Sequence, residues 1–198
     1  MDHEAVEARL LDAAEKLFNE RGIHAVGVDD IRAASGVSLK RLYQVFPAKE
    51  RLVEAVLQRR DRTSMAELVR HAGSLATPRE RILDAFDYLY EWFTESDFRG
   101  CPFVNSFGEM GGTSEGIAGI VRGNKQGLRQ YFGDLVASAG LPPSLADQLL
   151  VLANGATTSA GILDSPEPAL HAKSAATVLL YRSAARVGDS GSQAASAI

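Results

Sequence analysis

Val28-Asp-Asp-Ile-Arg-Ala-Ala-Ser-Gly-Val-Ser-Leu-Lys-Arg-Leu-Tyr-Gln-Val-Phe46 is the stretch whose pattern decides the fold. It fits two short helices joined by a tight turn. Ile31 and Ala34, three residues apart, give the first helix an inward face. Gly36 stands where the chain must reverse, and glycine enters the left-handed region at a helix C-terminus without a steric penalty. Ser38 then supplies a hydroxyl that accepts an orphan backbone N–H at the start of the second helix. In that helix Leu42 and Val45 or Phe46 turn inward, which leaves Leu39, Lys40, Arg41, Tyr43 and Gln44 facing out. A helix, a glycine turn and a second helix with a polar, basic outer face predict a helix-turn-helix of the kind that seats its second helix in the DNA major groove.

Outward from this stretch the chain reads as helix throughout. Before it, Val6, Leu10, Ala13, Ala14, Leu17 and Phe18 recur at helical spacing up to Gly22, with Ile23 and Val26 plugging the gap behind the helix-turn-helix. After it, Phe46-Pro47 closes the second helix, since the residue before proline avoids helical geometry. A long fourth helix over 49–71 keeps an apolar stripe of Leu52, Val53, Val56, Leu57, Met65, Leu68 and Val69, and is the lever between the N-terminal helices and the rest. Ile82, Phe86, Leu89, Tyr90 and Phe93 mark a fifth helix, and Phe103, Phe107 and Met110 a short one broken by Gly111-Gly112. A long seventh helix runs from Ile117 to Leu135, and two more cover 144–163 and 168–186. No stretch reads as a strand and none repeats, so the fold class is all-α. The expected division is a helix-turn-helix domain over 1–47, a larger helical domain over 48–187 and a frayed tail over 188–198, where apolar periodicity is lost.

Composition narrows the class further. With 198 residues, 45% of them hydrophobic, the chain can bury one large or two small cores. A single cysteine forms no internal disulfide and suits a reducing cytoplasm. The acidic N-terminus and the lack of a long apolar run predict neither a signal peptide nor a membrane anchor. The net charge of −4 is unevenly spread. Residues 1–31 carry three basic against eight acidic side chains, residues 32–60 seven basic against two acidic. Affinity for phosphates depends on such local charge, not on the global sum.

Three constellations carry little chemistry. Gly112-Thr-Ser-Glu-Gly116 has the G-x-S-x-G form of a hydrolase elbow, followed in order by Asp164 and His171, but that motif needs a strand before the serine. Ser114 is instead expected to cap a helix, and no enzyme activity is expected. His3, His24, His71 and His171 are scattered without ligand spacing, so neither a metal nor another cofactor is expected. Cys101 follows Arg99 and precedes a helix start, features that activate a thiol, against the plainer role of a small buried hydrophobe.

The segment Gly36-Val-Ser-Leu-Lys-Arg-Leu-Tyr-Gln-Val-Phe-Pro-Ala-Lys-Glu-Arg-Leu52 resembles the signature of TetR-type regulators: G-V-S, L-Y, F, a turn, then K-E-x-L. The resemblance spans roughly Leu11 to Leu57. It departs from the family at Gly27, where Ser or Thr is usual, at Arg32, where Ala is usual, and at Ala48, often Ser. Two lost side-chain caps cost each helix start up to about 1 kcal/mol.

The resemblance implies a sequence-specific, homodimeric regulator of transcription in the cytoplasm, at the nucleoid, usually a repressor released from operator DNA by a small molecule. Val28, Ser38, Leu39, Lys40, Arg41, Tyr43, Gln44 and Lys49 would then contact DNA, with Tyr43 and Lys49 at positions that touch phosphates. Phe86, Tyr90, Phe93, Phe103, Phe107, Met110 and Tyr131 fall on helices that surround a ligand cavity in such proteins, and Asn105, Glu109 and Asn124 are the polar candidates there. The small residues of the last two helices, among them Ala153, Gly155, Ala156, Ala160, Ala172 and Ala176, would form a four-helix dimer interface. The alternative is a helical signalling module whose basic N-terminal helices meet a protein partner.

Overall fold

The computed structural model describes the backbone of residues 3–195 and the side chains of residues 3–184. Among these residues nine α-helices and one short 3-10 turn occur and no strand: α1 His3–Arg21, α2 Val28–Ser35, α3 Leu39–Val45, α4 Lys49–His71, α5 Pro78–Phe93, α6 Pro102–Met110, α7 Glu115–Ser138, α8 Ser144–Leu163 and α9 Glu167–Ala195. The fold is all-α, as the periodicity predicts. Helix α9 continues through residues 188–195, where the composition pointed to a frayed tail; residues 196–198 lie outside the described residues.

Two compact units divide the chain, and the division differs from the one expected at residue 47. The first unit holds Met1–Ser64 and Cys101–Asn124, the second Met65–Gly100 and Lys125–Ile198. The reason lies in the first half of α4, which is apolar on two faces. Leu52 and Val56 join Val6, Leu10, Leu17, Val26, Ile31, Leu42 and Phe46 in one cluster. Val53 and Leu57 join Ile23, Cys101, Phe103, Ile117 and Val121 in another. Helix α6 and the start of α7 therefore share a unit with the helix-turn-helix, although more than fifty residues separate them from it in sequence.

Two details of the expected apolar faces change. Ala34 is exposed, and the inward partner of Ile31 on α2 is Ser35, buried at 4% exposure. Its hydroxyl donates to the Arg32 carbonyl and accepts from the Val37 N–H, each at 3.3 Å, so a polar group is tolerated in the core. Val69 leaves the stripe of α4 and is 55% exposed.

The second unit packs α5 against α8 and α9 around Ile82, Phe86, Phe132, Leu145 and Leu149, with the rings of Phe86 and Phe132 stacked at 6.2 Å. Thr77 and Glu80 form a capping box and Pro78 occupies the first position of α5, where its missing N–H costs nothing. Ala153, Ala156, Ala160, Ala172 and Ala176 are buried inside this unit, where small side chains let α8 and α9 approach. They are thus core of the protomer. Large apolar side chains stand exposed elsewhere on the same helices: Val151, Ile162 and Leu163 on α8, Leu170, Val178 and Tyr181 on α9.

His71, at the end of α4, is bound on both ring nitrogens in this unit: Nδ1 lies 2.8 Å from Asp84 and Nε2 3.3 Å from Glu91. The hydrogen bond to Asp84 holds the His71 pKa above its ordinary value against the opposing effect of burial. An unfolded-chain imidazole titrates near ~6.5, so the stabilisation is fully present below that pH and is lost as the pH rises through the higher folded value. Thermal melts between about pH 5 and pH 8 should show this loss in the wild type and a shallower dependence in Asp84→Asn. Identical pH profiles would mean that the pair carries no thermodynamic weight.

Candidate nucleic-acid interface

The first unit builds its exposed helix from local rules. Gly36 ends α2 in the left-handed region (φ 63°, ψ 18°), with its N–H donating to the Arg32 carbonyl at 3.0 Å. A Cβ there would also stand 2.7 Å from Nη2 of Arg9, so the turn has no room for a side chain unless Arg9 moves. Ser38 starts α3, its hydroxyl accepting from the Arg41 N–H at 3.3 Å. Gly27 cannot cap α2 with a side chain. The reciprocal half of the box remains, since Asp30 accepts from the Gly27 N–H at 2.8 Å.

Six of the residues singled out for DNA contact lie together on α3 and its cap. Leu39 and Tyr43 are 42% and 46% exposed, Lys40, Gln44 and Ser38 are exposed, and Arg41 is half-buried with Nη1 donating to Gln44 at 3.3 Å. Val28 is half-buried at the start of α2. Inward, Leu42 is 1% exposed and anchors the helix in the core.

Three of the seven basic side chains over residues 32–60 are held in ion pairs with carboxylates at 4 Å or less. Arg32 pairs with Asp29 at 3.1 Å, Arg51 with Glu54 at 2.8 Å, and Arg59 bridges Asp12 and Glu15 on α1. By contrast, Lys40 and Arg41 face no carboxylate among the described residues. Lys49 stands apart. Its ammonium donates to the Ile23 carbonyl and lies over the Phe18 ring, and burial lowers its pKa against the opposing pull of Glu109 and Asp30.

The residues proposed to line a ligand cavity are divided between the units. Phe86, Tyr90, Phe93 and Tyr131 belong to the second; Phe103, Asn105, Phe107, Glu109, Met110 and Asn124 belong to the first. Phe86 and Phe93 are buried core, and the Tyr131 hydroxyl is buried without a hydrogen-bond partner among the described residues. Phe107 is 47% exposed, whereas Asn124 is buried and donates to Asp61 at 2.8 Å. Glu109 accepts from the N–H groups of Ile23 and His24 at 2.9 and 2.7 Å, an engagement that nothing in the local sequence signals. Ser114 caps α7, accepting from Ile117 at 3.2 Å, and the chain before it is helix and turn, not the strand that a hydrolase elbow requires. Among the described residues no group of three His, Cys, Asp or Glu side chains is placed to hold a metal ion, and no helix is long and apolar enough to cross a membrane.

An exposed, carboxylate-free helix set behind a left-handed glycine turn and backed by α1 defines a helix-turn-helix domain. Residues 10–56 match the family described as bacterial regulatory proteins, tetR family. Over 122 residues the chain is 33% identical to the HTH-type transcriptional regulator Rv1255c of Mycobacterium tuberculosis, and it spans 57% of the length of that relative. It is 28% identical over 161 residues to the HTH-type transcriptional repressor ComR of Escherichia coli, covering 76% of this chain and 77% of that one. The crystal structure of SCO4454, a TetR-family transcriptional regulator from Streptomyces coelicolor, superposes with a TM-score of 0.84 at 26% identity, covering 91% of this chain and 96% of that chain. The family match over residues 10–56 and the structural likeness over most of the chain together support a TetR-type transcriptional regulator.

The turn gives a direct test. Gly36→Ala places a Cβ in the left-handed region and against Arg9, and should destabilise the first unit by about 1–2 kcal/mol in denaturant unfolding. An unchanged midpoint would show that the turn relaxes freely.

Proposed function

We propose that the protein is a sequence-specific, DNA-binding regulator of transcription, acting as a homodimeric repressor released by a small apolar or aromatic ligand. The observation that carries the reading is the pair Lys40 and Arg41 on α3, exposed or half-buried and free of carboxylate partners among the described residues, while Arg32, Arg51 and Arg59 are paired. Charges already neutralised within the protein release few counterions from DNA, so the two on α3 are the basic side chains most open to a polyanion. Leu39, Lys40 and Arg41 form the first turn of α3, the part that meets base edges in helix-turn-helix docking. Arg41 is the best base reader, since a guanidinium pairs with guanine O6 and N7 together. Tyr43 and Lys49 serve the backbone. Because Lys49 also holds the Ile23 carbonyl, Lys49→Ala removes an internal hydrogen bond along with a charge.

Repression is favoured by the relative ComR, which is named a repressor. Ligand response is favoured by the second unit, where the Tyr131 ring stands edge-on to Phe132 and its buried hydroxyl, without a hydrogen-bond partner among the described residues, is available to orient a bound molecule. The dimer is favoured by the exposed apolar side chains of α8 and α9. Val151, Gly155, Thr158 and Ile162 follow one helical stripe, and Leu170, Ser174, Val178 and Tyr181 another. Two such stripes from each protomer make a self-complementary patch.

Two measurements test this. With an operator obtained by selection from random duplexes, Arg41→Ala should cost about 1–3 kcal/mol on that operator and relax preference at one base pair per half-site. Equal loss on operator and scrambled duplex would reduce Arg41 to a backbone contact, and salt-independent association would favour a protein partner over DNA. For the dimer, Tyr181→Glu places a charge on the exposed stripe without touching the protomer's core, and should sediment as a folded monomer. A folded dimer of wild-type affinity would locate the interface elsewhere.

A further inference from the structure

Glu109, the penultimate residue of α6, is joined to a loop 85 residues earlier in the chain. One carboxylate oxygen accepts from the Ile23 N–H at 2.9 Å, and the other accepts from the His24 N–H at 2.7 Å and lies 3.1 Å from Nδ1 of His24. The loop is shaped for this. Gly22 ends α1 at φ 80°, and a Cβ on it would sit 3.2 Å from a Glu109 oxygen, so the glycine both turns the chain and admits the carboxylate. From the other side Lys49, at the start of α4, holds the carbonyl of the same Ile23, whose side chain is buried among Val53, Phe103 and Ile117. Two consecutive amides, one carbonyl and one apolar side chain are therefore fixed between α4 and α6. The hydrogen bonds outweigh the desolvation that burial imposes on Glu109 and leave its pKa below the ordinary carboxylate value.

This loop leads directly into Val26 and α2, and α6 begins at Pro102, one residue after the chain crosses from the second unit into the first. We propose that Glu109 is a positioning residue that ties α6 to the helix-turn-helix through the amides of residues 23 and 24. A shift of α6 then moves the loop before α2, and occupation of α3 by DNA is felt at α6. The proposal rests on the DNA-binding reading above. It adds a residue outside α2 and α3 to what sets the DNA-bound position of those helices.

Coupling between two sites is reciprocal, so duplex DNA itself is a sufficient probe. Amide hydrogen exchange is followed in wild type, Glu109→Gln, Glu109→Ala and His24→Ala, each with and without the operator duplex selected above, after far-UV circular dichroism has confirmed folding. Glu109→Gln keeps the shape but turns one acceptor oxygen into a donor, so it cannot receive both amides. The Ile23 and His24 amides should exchange on the order of tenfold faster in both Glu109 variants, and His24→Ala, which keeps its backbone N–H, should stay close to wild type. In the wild type, DNA should slow exchange across 102–110; in the Glu109 variants the duplex should still bind while that change disappears. A merely structural contact would alter the free protein and leave the DNA-induced change at α6 intact. Persistence of that change in both Glu109 variants, or its absence in a wild type that binds the duplex, overturns the proposal. A wild type that binds no duplex overturns the DNA-binding reading instead, so the two failures are distinguishable.

Discussion

The two apolar faces at the start of α4 are the constraint on which the first unit depends. Leu52 and Val56 close the core beneath the helix-turn-helix, while Val53 and Leu57, one residue along the helix from each, close a separate cluster with α6 and the start of α7. Successive residues on an α-helix point about 100° apart, so a pair of adjacent apolar residues repeated four positions later gives two stripes rather than one. A helix with a single stripe would serve one layer. With two, α4 packs against α1 and α3 on one side and against chain that returns from the second unit on the other. Arg59 adds a polar tie on the same helix, bridging Asp12 and Glu15 of α1.

Electrostatics follow from that packing. The basic residues of α4 lie beside the acidic face of α1 and beside their own helical neighbours, so Arg51 and Arg59 meet carboxylates within 4 Å. Solvent-accessible pairs of this kind contribute little to stability, because water and salt screen them. Their larger consequence is for charge distribution, because they remove cations from the set that a polyanion can use. A local excess of five positive charges over residues 32–60 thus overstates the field available on α3, where Lys40 and Arg41 stand without acidic partners among the described residues.

The parts of this architecture legible in the sequence were the parts decided by neighbours in the chain. Gly36, Ser38 and the Leu42–Phe46 spacing act over a few residues, and the turn, the cap and the inward face of α3 form as their chemistry requires. Ser35 was misread in favour of Ala34 because a hydroxyl can enter the core once it finds backbone partners, and those partners depend on the turn's geometry. Contacts across long separations were not legible. Glu109 looks like an ordinary polar residue on a short helix until Ile23 and His24 are brought to it, and Asn124 gains meaning only from Asp61. The division into two units is not legible for the same reason, since hydrophobic period gives the existence of a stripe but not the identity of what covers it.

The same limit governs α8 and α9, where close packing of small residues was read as a surface between protomers. An alanine face lets two helices approach, but nothing in alanine tells whether the second helix is in the same chain. Ala153, Ala156, Ala160 and Ala176 are buried within the protomer, which removes them from any intermolecular role. Exposed large side chains are the opposite signal: isolated ones are ordinary on a monomer, whereas a contiguous set is not. On α8 and α9 they recur with helical period on the sides that the core leaves open. Under the proposed dimer, this division of faces has a geometric use. Two copies of α3 must meet half-sites about 34–36 Å apart, one turn of DNA or a multiple of it. Such a spacing requires a rigid junction, and helices locked inside each protomer by their alanine faces present the outer stripes as fixed surfaces.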